Sequence, residues 1–105
     1  MALLLVVMML CLFNSAAPAA TRYVQKTGSS DSNPCTQAAP CQTIGRGIDT
    51  MASGDTLEIG GGTYNECIED FGEHAVPGGQ SWSLPTTIKN KPGETVWLKR
   101  TTPCA

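Results

Sequence analysis

The chain has 105 residues, with 7 Lys or Arg against 9 Asp or Glu, and therefore a net charge of −2 at pH 7. This length allows one small domain at most, and a charge so near zero gives no general attraction to nucleic acid or to an anionic membrane. The 11 Gly and 7 Pro residues favour turns and exclude a fold built from long helices.

The amino-terminal segment is apolar. Residues 2–13 carry no charged side chain, and a stretch of small residues that includes Ala17 and Ala19 follows them. The run is too short to span a bilayer, which needs about 20 apolar residues, but it has the length of a signal-peptide core. We therefore predict a signal peptide over residues 1–19, a secreted protein, and no membrane attachment after cleavage behind Ala19. Cleavage behind Ala17, which would leave Pro18 first, is the alternative.

Cysteine usage fits an oxidising compartment. Cys11 lies inside the predicted signal, which leaves an even number of cysteines, and these are Cys35, Cys41, Cys67 and Cys104. In a short secreted chain this predicts two disulfides. Four cysteines allow three connectivities. The short loop between Cys35 and Cys41 can bring these two thiols together, and Cys67 would then pair with Cys104. A zinc site is the weaker interpretation, because no CxxC pair is present and His74 is the only histidine.

The first elements after the signal are a strand and a short helix. Thr21–Lys26 alternates in the way of a short strand, and Thr27–Pro40 collects loop-forming residues. Over residues 42–52 the apolar side chains recur with helical spacing, which places Ile44, Ile48, Met51 and Ala52 on one face. Thr43 suits the helix start, and Gly54 suits a left-handed turn after its end.

Short strands dominate the rest of the chain. Leu57 and Ile59 alternate with polar residues, and Gly-rich or Pro-Gly turns separate this segment from three more strand-like stretches, at residues 63–68, 85–89 and 95–99. An antiparallel meander and a parallel solenoid both satisfy this pattern.

The order of these pieces resembles a known family. The segments RYVQKTGSSDSNPCTQAAPCQTIGRGID, ASGDTLEIGGGTYNE and LPTTIKNKPGETVWLK are similar to the amino-terminal portion of secreted right-handed parallel β-helix proteins of the pectin-lyase-like superfamily. The resemblance implies a mainly β fold, in which a strand and one short capping helix over residues 20–54 precede the first one to two coils over residues 55–105. It also leads us to expect a truncated portion of a longer protein.

What the resemblance implies about activity is less specific, since lyases, hydrolases and non-catalytic adhesins share the fold. The longer parent would be a carbohydrate-directed protein such as a polysaccharide lyase or hydrolase, with Ca²⁺ as a cofactor in the lyases. For this chain we expect no cofactor and no catalytic residue, and hence no activity by itself. A complete small disulfide-stapled binding or effector domain, and the start of a β-helix adhesin, are the alternatives.

Two groups of charged residues are candidate sites. Basic residues after Ile88, together with one aromatic residue, are candidates for binding an acidic polysaccharide, and these are Lys89, Lys91, Lys99, Arg100 and Trp97. Clustered carboxylates are candidates for holding calcium, and these are Glu66, Glu69, Asp70 and Glu73. A solvated strand face for the basic group and a solvated loop for the carboxylates are the favoured interpretations.

Three further side chains carry weaker signals. Trp97 points opposite to Val96 and Leu98, which leaves it either outward, where it could stack on a sugar ring, or against a neighbouring loop. Trp82 could do the same, but we expect it to pack across the base of its loop. His74 is expected to be an exposed loop histidine without a catalytic role.

Overall fold

The computed structural model describes residues 18–68 and 74–101. In chain order the elements are β1 (Thr21–Val24), α1 (Ile44–Asp49), β2 (Thr56–Ile59), β3 (Gly62–Asn65), β4 (Thr87–Asn90) and β5 (Val96–Lys99). The expectation of a mainly β fold with one short helix is confirmed. In the part of the chain that is described, no helix is both long and apolar enough to cross a membrane.

The strands form two parallel sheets. The first sheet has the order β1-β2-β4, and the second pairs β3 with β5. Parallel neighbours cannot be joined by a tight hairpin and need a long connection. Here the chain passes from the first sheet to the second at residues 60–61 and again at residues 91–95. The antiparallel meander is therefore wrong. The second passage, formed by β4 and β5, lies directly on the first passage, formed by β2 and β3.

The register explains the alternation in the sequence. Leu57 pairs with Ile88, Glu58 pairs with Lys89, and Tyr64 pairs with Leu98. Paired residues on parallel strands point to the same side of the sheet. Leu57 and Tyr64 are fully buried, as expected for the inner side. Glu58 and Lys89 therefore lie on the outer side.

The helix packs on the first sheet through its predicted apolar face. Ile44 and Ile48 are buried, and Met51 packs against the core. The helix begins where predicted, since the Thr43 hydroxyl accepts a hydrogen bond from the Arg46 N–H at 3.2 Å. It ends at Asp49, earlier than the periodicity predicts. Glycine has a low helix propensity, and α1 contains two glycines in six residues.

The first strand is also shorter than predicted. It ends at Val24. On the edge of β1 that faces away from β2, the N–H groups of Tyr23 and Gln25 donate to the carbonyls of Cys35 and Cys41 at 2.8 Å each, which holds the long loop to this edge. Cys35 and Cys41 are joined by a disulfide across 4.6 Å between their Cα atoms, as predicted. Cys67 is disulfide-bonded as well, while its predicted partner Cys104 lies outside the described residues.

Asp31 holds the far side of this loop to the start of the helix. Its carboxylate accepts the N–H groups of Gln42 at 2.8 Å and Thr43 at 2.9 Å, and the Thr43 hydroxyl at 2.8 Å. Burial raises the pKa of Asp31, but the hydrogen bonds from Thr43 and Gln42 outweigh it and hold that pKa below its usual value. The ionised carboxylate thus contributes to the ordering of the loop.

Gly47 sets the closest approach of the helix to the first sheet. A Cβ atom at this position would lie 2.6 Å from Cγ2 of Val24 and 2.7 Å from Cδ1 of Leu57. Both side chains are buried in the core, where close packing limits the shifts that could relieve the overlap. Only glycine therefore fits at this point of the helix.

We predict that Gly47→Ala destabilises the fold. Overpacking costs about 1–3 kcal/mol, and the better helix propensity of Ala returns about 1 kcal/mol. Urea unfolding should give a net loss of up to about 2 kcal/mol. The control is Gly78→Ala, where a Cβ meets nothing within 4 Å, and which should stay within about 0.5 kcal/mol of wild type. An unchanged stability of Gly47→Ala would contradict this packing.

The second disulfide is tested by mass. The oxidised chain, with the signal removed, should be roughly 4 Da lighter than the same chain after reduction, because two disulfides lack four hydrogens. The Cys67→Ser variant should release one thiol that an alkylating reagent modifies without reduction, and tryptic mapping should place it at Cys104. Alkylation of Cys104 in the unreduced wild-type chain would show that the predicted pairing is wrong.

Candidate functional site

The outer side of the first sheet carries a row of polar and aromatic side chains. Tyr23 of β1 pairs with Glu58 of β2, which pairs with Lys89 of β4. The Lys89 Nζ lies 4.0 Å from Oε2 of Glu58, and the lysine side chain is half exposed. We call these three residues the outer row. It presents an aromatic ring, a carboxylate and an ammonium group side by side to solvent.

The corner between the two sheets lies next to the outer row. Gly61 donates its N–H to Oε1 of Glu94 at 2.8 Å, and the Lys91 Nζ lies 3.5 Å from Oε2 of the same carboxylate. The hydrogen bond from Gly61 lowers the pKa of Glu94; burial opposes the shift, and the charge of Lys91 adds to it. Glu94, which lies in the turn between β4 and β5, thereby holds the corner between β2 and β3 in place.

A polar cavity of about 230 Å³ lies between the outer row and this corner. Its charged lining consists of two lysines, Lys26 and Lys91, and two glutamates, Glu58 and Glu94, with Tyr23 and two glutamine side chains beside them. We call it the outer pocket. Its formal charges cancel, and its amide, carboxylate, ammonium and phenol groups can both donate and accept hydrogen bonds. Such a lining suits a ligand with many hydroxyl groups.

The inner wall of the corner is held by Tyr64. Its side chain is fully buried, and its hydroxyl donates to the carbonyl of Gly60 at 2.7 Å. Burial raises the pKa of Tyr64, and the nearby charges of Glu66 and Glu94 raise it further. The Lys26 Nζ lies 5.0 Å from the centre of the Tyr64 ring, within the range of a cation–π contact. Tyr64 therefore orients both the corner backbone and one lysine of the outer pocket.

The predicted polysaccharide-binding residues lie on two different sheets. Lys89 and Lys91 belong to the outer row and the outer pocket, where each faces a glutamate. Trp97 and Lys99 lie on β5, paired with Thr63 and Asn65, and Arg100 follows that strand. Trp97 is exposed, which is the first of the two positions that its alternation allows. The five residues do not share one sheet face.

Sequence reasoning missed the other half of the outer pocket. Tyr23 and Glu58 were identifiable only as outward positions of two separate strands, and the pairing of those strands brings them together. Lys26 and Glu94 lie in a loop and a turn, and no spacing in the sequence connects them. Only the parallel register makes them neighbours.

The predicted calcium ligands are only partly within the described residues. Both carboxylate oxygens of Glu66 accept backbone N–H groups at the start of α1, from Ile44 and Gly45 at 2.8 Å each. Glu69, Asp70 and Glu73 lie outside the described residues, so the calcium site stays a prediction. Across residues 18–68 and 74–101, no three His, Cys, Asp or Glu side chains are grouped as metal ligands.

His74 lies in a loop, as predicted, but its side chain packs against α1 and is not fully exposed. Its Nδ1 lies 2.9 Å from Oδ1 of Asp49, and its ring packs so closely on the helix that a Cβ at Gly45 would lie 2.7 Å from it. The side chain is 30% exposed. Its contacts hold the last turn of α1 to the chain that leads into β4, because Gly45 leaves room for the ring.

Trp82 also departs from the prediction. It was expected to pack across the base of its loop, but its side chain is fully exposed. A local bridge between Ser81 and Leu84 closes the turn without it. A shallow apolar depression that includes Val76 and Pro85 lies beside the indole. The loop therefore presents Trp82 to solvent.

Comparison with known proteins gives one structural likeness. No protein-family model and no curated protein matches the chain. A solved structure of XylC in complex with xylose is similar to it, with 29% identical residues and a TM-score of 0.62. The match covers 72% of this chain and 11% of XylC, so this chain spans a small part of the length of that protein. The shared parallel strands and 29% identity support the β-helix resemblance seen in the sequence.

The Glu94 contact predicts a pH dependence. Folding lowers this pKa. The carboxylate therefore stabilises the folded chain above the pH at which glutamate titrates in the unfolded chain, and this contribution disappears as the pH falls through the folded pKa. Glu94→Gln should melt at a lower temperature than wild type at about pH 7, and the two should converge at about pH 3. Melting curves with the same gap at both pH values would contradict the role of the charge.

Proposed function

We propose that this chain forms the amino-terminal cap and first coils of a secreted, carbohydrate-directed right-handed parallel β-helix protein. Residues 1–19 are the signal peptide, residues 20–54 form the cap and residues 55–105 form the opening coils. Two successive passages through the same pair of parallel sheets support this proposal. The likeness to a small part of XylC is what a shared opening segment would give.

The two ends of the stack differ in the way the proposal requires. At the β1 end, Ile44 and Ile48 of the helix cover the core. At the other end, Ile88 is 43% and Leu98 is 53% exposed, although both belong to the inner side of their sheets. Together with Val96 they line an apolar cavity of about 300 Å³, which extends inward as far as Ile44 and Ile48 of the helix. In a β-helix, this is the surface on which the next coil stacks.

Carbohydrate as the ligand class rests on the likeness to XylC, whose structure contains xylose. The outer pocket fits the same chemistry, since sugar hydroxyls need donors and acceptors in close array. Its two lysines, Lys26 and Lys91, are balanced by its two glutamates, Glu58 and Glu94, and the Lys91 Nζ lies 3.5 Å from Oε2 of Glu94. We therefore favour a neutral sugar for this pocket over the acidic polysaccharide that the lysines suggest by themselves.

Catalysis by this chain is not part of the proposal. The lyases and hydrolases of this fold carry their reacting groups on middle coils, and no such set was identified among these residues. Calcium would belong to a longer parent. Any activity of such a parent would depend on reacting groups in coils other than the two proposed for this chain.

The test is a binding experiment with two matched ligands. Xylo-oligosaccharides and oligogalacturonides of equal length are titrated into the isotopically labelled chain, and chemical-shift changes are followed by NMR. We expect xylo-oligosaccharides to shift the signals of Tyr23, Glu58 and Gly61. Glu58→Gln should weaken binding about tenfold, the effect of losing about 1.4 kcal/mol from a charge-assisted hydrogen bond.

The control is Thr63→Ala, on the outer side of the second sheet beside Trp97, which should bind like wild type. Tighter binding of oligogalacturonides, with shifts at Lys89 and Lys91, would favour the acidic ligand over the neutral one. Absence of binding by either sugar at millimolar concentration would refute carbohydrate recognition by these coils.

A further inference from the structure

Asp55 is a buried carboxylate without a charged hydrogen-bond donor. It is 3% exposed. Its Oδ1 accepts the backbone N–H of Ala20 at 2.8 Å, and its Oδ2 accepts that of Ala52 at 2.8 Å. Among the described residues, the cation within 4 Å is Arg22, whose Nε lies 3.9 Å from Oδ2 and is itself buried without a hydrogen-bond partner. Two neutral donors and one distant cation thus hold a desolvated negative charge.

Such a group is costly unless a positive charge compensates it. Burial of a carboxylate disfavours its ionised form, and direct ion pairs with hydrogen bonds offset that cost better than neutral donors do. Hydrogen bonds between two charged partners are roughly twice as strong as neutral ones. The site would therefore gain stability from a cation placed where one of the neutral donors now lies.

The position of Ala20 offers such a cation. In the described part of the chain, Pro18 and Ala19 are exposed, and the first residue that forms hydrogen bonds is Ala20. Its carbonyl accepts the N–H of Thr56 at 2.9 Å, which starts the pairing of β1 with β2. The bond between Ala19 and Ala20 is also the predicted cleavage site of the signal peptide. Cleavage there converts the backbone nitrogen of Ala20, which already donates to Asp55, into a free α-amine.

We propose that removal of the signal peptide creates the missing partner of Asp55. Hydrolysis of the Ala19–Ala20 peptide bond by a signal peptidase consumes one water and leaves a carboxylate on Ala19 and an amine on Ala20. The amine takes up a proton, and the resulting α-ammonium donates to Oδ1 of Asp55 as an ion pair. Maturation therefore fastens the start of β1, the edge strand of the first sheet, to the beginning of β2.

This inference rests on the secretion that the proposed function includes, and it is independent of carbohydrate binding. A failure of the sugar titration leaves it standing. Arg22 stays near Asp55 in either form of the chain, so the change that cleavage brings is the new charge on Ala20. The position of the charge matters as well. If the chain began at Ala19, the ammonium would lie on that exposed residue, and Asp55 would keep the neutral N–H of Ala20 as its donor.

The test compares two chains that both extend to Ala105. One begins at Ala20 and the other at Ala19, so they carry the same net charge and the same donor nitrogen at Ala20. The chain that begins at Ala20 should have an unfolding equilibrium constant about tenfold lower at about pH 6. The difference should vanish at about pH 10, where an α-amino group is neutral in water. Asp55→Asn should abolish the difference at about pH 6.

A second measurement covers the case in which Asp55→Asn does not fold. The rate of acylation of the α-amine by an amine-reactive ester is measured in both chains, with lysine acylation as the internal reference. The ion-paired amine of Ala20 should react at least about tenfold more slowly than the amine of Ala19. Equal rates, equal stabilities at about pH 6, or a secreted product that begins at Pro18 would each overturn the proposal.

Discussion

The parallel register of the strands is the constraint on which the rest of the structure depends. It places each residue of one passage beside its counterpart in the next, so that Leu57 meets Ile88 on the inner side and Glu58 meets Lys89 on the outer side. One residue of slip would turn every side chain of a strand to the opposite face. The core, the outer row and the exposed apolar end all follow from this register.

Carboxylates accept backbone N–H groups at the places where the strands and the helix begin or end. Glu94 accepts the N–H of the corner between the sheets, Glu66 accepts two at the start of the helix, and Asp55 accepts two where the helix leads into β2. Asp31 does the same for the long loop. Turns and helix ends leave backbone donors without partners. In this small domain, acidic side chains accept hydrogen bonds from these backbone donors, so fewer carboxylates remain exposed to solvent.

The candidate site shows how far sequence reasoning reaches. Lys89 and Lys91 were identifiable as a basic group, and Trp97 as an aromatic residue that points opposite to Val96 and Leu98. Glu94 follows Lys91 by three residues in the same turn, so that pair was within reach of a local pattern. Glu58 was not, because it lies on another strand and only the parallel register brings it beside Lys89. The charge balance of the outer pocket, and with it the preference for a neutral sugar, combines the local Lys91–Glu94 pair with Lys26 and Glu58, which come from other parts of the chain.

The sequence by itself determined the strand segments, the apolar face of the helix, the Thr43 cap and the local Cys35–Cys41 pair, because each depends on residues close together in the chain. Only the tertiary structure decided that the strands are parallel, that Trp82 is exposed and that His74 packs on the helix. Alternation of side chains is the same in parallel and antiparallel strands. The direction of pairing is set by long-range contacts, which a local pattern does not contain.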